Sequence, residues 1–152
     1  MTKWILPIAA ALICLAGPQG IMAEDKTYVG SETCRDCHQE EYDRFMAYSK
    51  KAGSFASIKK MEKKLTPEEF QRCFECHTTG YGKGGGFVSE SLTPALKDTG
   101  CESCHGPGSL HVDTEDPEDI KGDLTMEDCT VCHDEERVKA FDFKPLLFGG
   151  AH

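Results

Sequence analysis

Short helices are the main elements that the pattern of apolar and polar positions predicts. Between residues 39 and 52 the chain has no glycine or proline. Tyr42, Phe45 and Met46 recur there at helical spacing and share one face with Ser49. We therefore predict a helix from Gln39 to Ala52, and a second one from Phe55 to Leu65.

Three further helix starts are predicted by threonine followed by proline or acidic residues. Thr66-Pro67-Glu68-Glu69 combines a capping box with proline at the first helical position. Thr93-Pro94 repeats the threonine–proline signal, and Thr125-Met126-Glu127-Asp128 is a weaker version of the capping box. These starts predict helices that lead into the cysteine-containing segments described below.

Turns separate the predicted helices. Five glycines lie between Gly80 and Gly86, a density that predicts a turn where backbone approaches a bound group closely. Gly106-Pro107-Gly108 predicts a second sharp turn, and the acidic residues 113–119 predict a solvated connector. Because strand signals are few, the predicted fold is mainly α with much irregular structure.

The N-terminal segment has the pattern of a secretory signal peptide. Lys3 precedes an apolar run from Trp4 to Ala16, and small Ala23 offers a cleavage point before Glu24. We predict that residues 1–23 are removed and that residues 24–152 form one domain. A retained membrane anchor is the alternative, but the apolar run is short for a bilayer. Lipidation at Cys14 is disfavoured because Ile13, and not a small residue, precedes it.

Eight cysteines remain once the leader with Cys14 is removed, and all eight fall in four Cys-x-x-Cys-His motifs. The motifs are Cys34, Cys37 and His38; Cys73, Cys76 and His77; Cys101, Cys104 and His105; and Cys129, Cys132 and His133. This is the attachment sequence for a c-type haem. Two cysteines separated by two residues reach both vinyl groups on one haem edge, and the following histidine reaches the iron. The sequence therefore predicts four covalent c-type haems.

Three other readings of the cysteines explain less. Zinc sites built from paired motifs would leave the regularly placed histidines without a role. A thioredoxin-like motif is expected once, beside a βαβ pattern that is absent from the predicted elements. An oxidising compartment favours disulfides in general, but bridges within such short loops would be strained.

Four haems on so short a chain determine how the core must form. About 32 residues of mature chain are available per haem, too few for a conventional apolar core around each. We therefore expect the haems to form most of the core and to lie close together, as in a multihaem cytochrome c. Electron transfer between neighbouring haems is the function that this packing predicts.

The surface charge restricts the partners. The chain has 17 basic and 26 acidic side chains, a net charge of −9, and the leader contains only one of the charges, Lys3. An acidic protein is a poor ligand for nucleic acid, and basic docking surfaces on redox proteins suit it better. The predicted location is periplasmic or extracellular, with no membrane span in the mature chain.

The histidine count limits axial ligation of the irons. Six histidines include the four of the motifs, so that only His111 and His152 remain as second ligands. His111 follows His105 too closely to reach the same iron and is expected to serve a different haem. His152 is expected to ligate if the apolar run before it docks the C terminus. The other irons need methionine (Met46, Met61 or Met126), lysine (Lys50 or Lys51), water, a neighbouring chain, or an open site.

The chain resembles the tetrahaem cytochrome c-554 family. The likeness rests on the four motifs, on the stretch GCESCHGPGSLH that begins at Gly100, and on the C-terminal GGAH. It implies a mainly helical fold with haems in closely stacked and perpendicular pairs, and a role in electron relay. In the best-known relative the electrons come from hydroxylamine oxidation, a pathway that does not carry over because related sequences serve other respiratory chains.

The resemblance also implies particular iron ligands. The first haem, at His38, would take His111, and the third, at His105, would take His152. The second haem, at His77, is five-coordinate in the ammonia-oxidising relative. The fourth, at His133, takes a histidine from the segment after the first motif, but here residues 49–54 contain none, and Lys51 is the candidate.

Three functions follow from these features, in order of preference. The first is an electron carrier between periplasmic or extracellular partners. The second is a subunit of a haem-wired filament or complex, possible for a chain that exchanges distal ligands with its copies. The third is a small redox enzyme that binds nitric oxide or a similar ligand at an open iron, although no evident general acid or base flanks His77.

Overall fold

Eight short α-helices, joined by turns and 3₁₀ segments, form the part of the chain that this computed structural model describes, residues 26–134. The α-helices are α1 (Ser31–Cys34), α2 (Gln39–Tyr48), α3 (Ser54–Lys59), α4 (Pro67–Gln71), α5 (Phe74–His77), α6 (Glu102–His105), α7 (Ser109–Thr114) and α8 (Met126–Thr130). The 3₁₀ segments are Lys50–Gly53, Glu62–Lys64, Pro94–Leu96 and Pro117–Asp119. No strand occurs within residues 26–134, and the prediction of a mainly α fold with much irregular structure is confirmed.

Several predictions concern segments outside the described residues. The predicted signal peptide at residues 1–23, with Cys14, lies outside them, as does the C-terminal segment that ends at His152. Within residues 26–134 no helix is long and apolar enough to cross a membrane.

The first predicted helix is shorter than expected. Helix α2 ends at Tyr48, because Ser49 has extended backbone and its hydroxyl accepts a hydrogen bond from the Lys51 N–H. That side-chain bond starts a separate 3₁₀ turn, as serine often does in competition with the helix. Phe45 is the buried residue of α2, whereas Met46, expected on the buried face, is 47% exposed.

The second predicted helix is divided in two. Helix α3 ends at Lys59 and the 3₁₀ segment Glu62–Lys64 follows. The division arises because the Met61 N–H bonds to the Ile58 carbonyl at 2.8 Å, and the Lys64 N–H bonds to the Met61 carbonyl at 2.8 Å. Bonds between residues three apart tighten the backbone into 3₁₀ geometry.

Both predicted capping boxes are present. The Thr66 hydroxyl accepts from the Glu69 N–H while the Glu69 carboxylate accepts from the Thr66 N–H, and Pro67 begins α4. Thr125 and Asp128 form the same reciprocal pair at the start of α8. Thr93-Pro94 begins only the 3₁₀ segment Pro94–Leu96.

A cluster of aromatic side chains forms the main apolar core of the described chain. Its buried members are Phe55, Ile58, Phe70, Phe74, Phe87 and Leu96, with Tyr28, Leu65, Cys73 and Tyr81 packed around them. Helices α3, α4 and α5 contribute four of the six buried members, so the core surrounds the second cysteine motif. Sequence analysis did not predict this protein core, since it assigned most of the interior to the haems.

The glycine-rich turn allows close approach within the chain itself. Gly80 has φ +70°, and a Cβ there would lie 2.6 Å from Cζ of Tyr28. A Cβ on Gly86 would lie 1.8 Å from the Gly80 carbonyl oxygen. A side chain at Gly80 would therefore separate the turn from Tyr28 in the N-terminal segment, and one at Gly86 would open the turn itself.

Candidate haem-binding sites

The four Cys-x-x-Cys-His motifs share one backbone geometry. In each, the histidine N–H donates to the carbonyl of the first cysteine, at distances between 2.9 and 3.1 Å. The second cysteine N–H approaches the same carbonyl at 3.1–3.3 Å. Each motif is thus a single helical turn, in which residues three and four apart lie on one face. Two thiols and an imidazole on one face of a turn form the donor set that covalent haem attachment needs.

The eight motif cysteines are free thiols. Cys37 is exposed, and the other seven are partly buried. Within residues 26–134 no three cysteine, histidine, aspartate or glutamate side chains converge as a metal-ion site would require. A free thiol is the form of cysteine that a thioether bond to haem requires.

Cysteines from different motifs lie close together. The Cys34 thiol hydrogen-bonds to Cys101, which lowers the pKa of Cys101 and raises that of Cys34. Burial raises the pKa of Cys132 to about 12, with further contributions from Cys76 and Cys104. The first motif therefore contacts the third, and the fourth lies beside the second.

Three histidines are oriented by backbone carbonyls. The Nδ1 atom lies 3.2 Å from the Ser54 oxygen in His77, 2.6 Å from the Lys121 oxygen in His105, and 2.8 Å from the Asp116 oxygen in His111. A carbonyl can only accept, so Nδ1 must carry the proton in each ring. The unprotonated Nε2 then remains as the ligand atom, and the ring is held in one orientation.

The rings of His38 and His111 lie close together with nearly parallel planes. Their centroids are 6.2 Å apart and their planes differ by 28°. An atom bound to both rings by metal–imidazole bonds of about 2 Å would separate the centroids by roughly 6 Å. The separation of the two centroids is therefore that of two imidazoles that share one iron. His111 lies six residues from His105 in sequence, yet the fold sets it opposite the first motif.

Lys51 lies beside the fourth motif. It is partly buried in the segment Lys50–Gly53. Burial raises the pKa of Cys104 and Cys129, and the nearby Lys51 ammonium opposes that rise. Burial also lowers the pKa of His133, and Lys51 adds to that effect. The lysine from the segment after the first motif is therefore close to the histidine of the fourth.

The remaining candidate ligands are less favourably placed. Met46, Met61 and Met126 are between 47% and 52% exposed, and Lys50 is exposed. Beside the second motif, Glu75 is exposed, and Tyr81 packs edge-on against Phe74 at 5.3 Å.

A network of buried hydroxyl groups, which sequence analysis missed, connects the second and third motifs. The Ser54 hydroxyl lies 2.9 Å from the His77 carbonyl oxygen and accepts from the Thr99 N–H at 2.9 Å. The Thr99 hydroxyl donates to the Cys76 carbonyl at 2.9 Å. The Thr79 hydroxyl oxygen lies 3.1 Å from the hydroxyl oxygen of Ser103 in the third motif. Nothing in the sequence around these serines and threonines indicates this role.

Glu102 is the second feature that sequence analysis missed. It lies between the cysteines of the third motif and is 2% exposed, and its carboxylate accepts hydrogen bonds only from backbone N–H groups. A glutamate in a variable position of the motif is expected on the surface. Its burial depends on residues more than 70 positions away in sequence.

Comparison with known proteins gives two matches. The chain matches the family model "Cytochrome c554 and c-prime" over residues 33–106, which include the first three motifs. It is 37% identical over 111 residues to cytochrome c-554 of Nitrosomonas europaea, a match that covers 66% of this chain and 47% of the relative. The chain thus spans about half the length of that curated relative. No solved structure matches.

Proposed function

Since the chain belongs to the cytochrome c-554 family, we propose that it holds four covalent c-type haems and relays electrons between periplasmic or extracellular redox partners. The main support is the turn geometry that all four Cys-x-x-Cys-His motifs share. A disulfide framework or a zinc site would not require a histidine at the same place in every turn.

Each motif residue has a defined role in this function. Each thiol would hold the haem by a thioether bond to one vinyl carbon, with the thiol hydrogen going to the other vinyl carbon. The motif histidine would bind iron through Nε2, and in His77 and His105 the backbone carbonyl at Nδ1 orients the ring for this. The bound haem supplies an iron that cycles between the ferric and ferrous states.

Close contact between motifs supports a relay. The sulfur atoms of Cys34 and Cys101 are hydrogen-bonded. Beside burial, the thiols of Cys76 and Cys104 raise the pKa of Cys132. Haems attached to these sulfurs would lie next to one another because the attachment is covalent. Electrons can then pass between neighbours within the chain.

The second axial ligand of each iron is proposed to come from the side chains that remain outside the motifs. His111 would serve the first iron, opposite His38. His152 would serve the third iron, at His105. The second iron, at His77, would be open, and Lys51 is the candidate ligand for the fourth.

Partners and location follow from charge and from the leader. A net charge of −9 supports docking to basic surfaces on redox proteins. The signal-like residues 1–23 support export, with Ala23 before the cleavage point.

The ligand deficit favours two further candidate functions. With six histidines for four irons, copies of the chain could exchange ligands and form a haem-wired filament or complex. Alternatively, an iron without a distal ligand could bind nitric oxide or a similar small ligand, and the chain would then have a minor reductase activity.

Mass spectrometry of the exported protein tests the main proposal. The expected mass is that of the chain from about Glu24 plus four haems, and replacement of Cys129 and Cys132 by serine should lower it by one haem. The purified protein should also be reduced and reoxidised reversibly by redox partners. Bound zinc, or four disulfides in place of haem, would contradict the proposal.

A further inference from the structure

The buried carboxylate of Glu102 accepts hydrogen bonds from three backbone N–H groups. They belong to two segments that are far apart in the sequence. Its Oε1 lies 2.9 Å from the Val29 nitrogen and 2.8 Å from the Gly108 nitrogen. Its Oε2 lies 3.1 Å from the Val29 nitrogen and 2.7 Å from the Gly30 nitrogen. Hydrogen bonds to a carboxylate are stronger than those between neutral groups, and these are shielded from water.

The donors of these bonds stand at the beginnings of two helices. Gly30 is the N-cap residue of α1 and Gly108 is that of α7, and neither helix has a side-chain cap. Glycine suits both positions because neighbouring atoms leave little room for a Cβ. A Cβ on Gly108 would lie 3.2 Å from Oε1 of Glu102, and one on Gly30 would lie 3.0 Å from the Ala95 Cβ.

The same two helices determine where the facing imidazoles lie. Helix α1 contains Cys34 and leads directly to His38, whose N–H bonds to the Cys34 carbonyl at 2.9 Å. Helix α7 contains His111, two residues after its start. One carboxylate therefore ties together the starts of the two segments that bring the rings to 6.2 Å.

We infer that Glu102 is a positioning residue for the first haem site, which holds His38 and His111 at the separation that one iron requires. The inference rests on the proposed function, because it assumes that a haem is attached at Cys34 and Cys37. Glu102 touches neither ring. It acts through the backbone of Gly30 and Gly108, and the third motif thereby supports the ligand pair of the first.

The Glu102→Gln substitution tests this role because it preserves size but removes one acceptor oxygen. The amide NH₂ group would face an N–H donor and leave it unpaired, so the two helix starts should separate. We expect the covalent haem content to be unchanged. One haem per chain should gain high-spin character in electron paramagnetic resonance and should bind cyanide about tenfold faster, as the loss of one charged hydrogen bond implies.

Two controls separate positioning from general damage. Glu75→Gln makes the same chemical change at an exposed variable position of the second motif and should leave every haem as in the wild type. The His111→Ala variant should convert the same haem from low-spin to high-spin. Adding Glu102→Gln to the His111→Ala variant should produce no further spectral change. Residues that act through one ligand pair are non-additive in this way.

The possible outcomes are distinguishable. Failure to find four haems in the wild type would overturn the proposed function, and the inference with it. Four haems with an unchanged spectrum in folded Glu102→Gln protein would overturn the inference alone. If Glu102→Gln does not fold, Gly108→Ala perturbs the same contact and retains the charge. Its backbone angles, φ −96° and ψ −2°, accept alanine. A wild-type spectrum in that variant would also overturn the inference.

Discussion

Replacing Phe74 by alanine should remove the centre of the aromatic core. The Phe74 ring lies 6.0 Å from that of Phe55, 5.0 Å from Phe70, and 5.3 Å from both Tyr81 and Phe87. It is 8% exposed, and it stands between the two cysteines of the second motif. The substitution would leave a cavity beneath helix α5.

The structure gives the expected size of the effect. A buried phenylalanine replaced by alanine costs about 3–5 kcal/mol, which includes the cavity that remains. Three of the four neighbouring rings contact Phe74 edge-on, with interplanar angles of 80–83°, and such pairs add about 0.5–1.5 kcal/mol each in favourable cases. We expect a loss of about 4 kcal/mol, a large share of a typical domain stability of about 5–15 kcal/mol.

Guanidinium unfolding of the purified exported protein, followed by far-ultraviolet circular dichroism, measures this loss. Val131→Ala is the matched control, because Val131 occupies a variable position of the fourth motif but is 65% exposed. That control should change stability by less than about 0.5 kcal/mol. If Phe74→Ala costs less than about 1 kcal/mol, the aromatic cluster is not the stabilising core that the packing indicates.

Three further predictions concern the ligands and the acid stability. His111→Ala and His152→Ala should each convert one low-spin haem to high-spin with the haem content retained, and unchanged spectra in both would show that neither histidine is a ligand. Asp128 has a pKa below its usual 3.8 because Lys121 pairs with it. Its contribution to the free energy of unfolding is therefore present above about pH 4 and is lost as the pH falls through the lowered pKa. The acid transition of Asp128→Asn, followed by circular dichroism, should therefore lack this component, and an identical acid transition would contradict the assignment. Cyanide titration of the oxidised protein should show one fast-binding haem in the wild type and two in Lys51→Ala, whereas four inert low-spin haems in a strictly monomeric wild type would refute the ligand scheme.

Local signals in the sequence predicted the helix starts well. The capping boxes at Thr66 and Thr125 depend on residues three positions apart, so the sequence contains the whole interaction. The end of α2 depends on Ser49, whose hydroxyl bonds locally to the Lys51 N–H. This signal is also local, but serine is compatible with a helix interior, and the absence of glycine and proline did not reveal the break.

Interactions between distant residues were beyond sequence reasoning. Glu102 occupies a variable position of its motif, and its donors Val29 and Gly30 are more than 70 residues away. Ser54 and Thr99, which are 45 residues apart, likewise form a buried pair beside the second motif. Polar residues of these types are usually exposed, and only the fold determines which of them are buried and bonded.

The spatial order of the motifs differs from their order in the sequence, and this difference matters for a relay. The first motif contacts the third through Cys34 and Cys101. The third is linked to the fourth through Lys121, whose carbonyl oxygen lies 2.6 Å from His105 Nδ1 and whose ammonium pairs with Asp128. The fourth lies beside the second, since the thiols of Cys132 and Cys76 are hydrogen-bonded. Sequence spacing cannot give this order, because it is 28 residues both from the second motif to the third and from the third to the fourth. A relay built on these turns would pass from the first haem to the third, the fourth and then the second. The haem proposed as open, at His77, would then stand at one end of the relay, where a small ligand or an external partner could reach it without interrupting transfer between the other three.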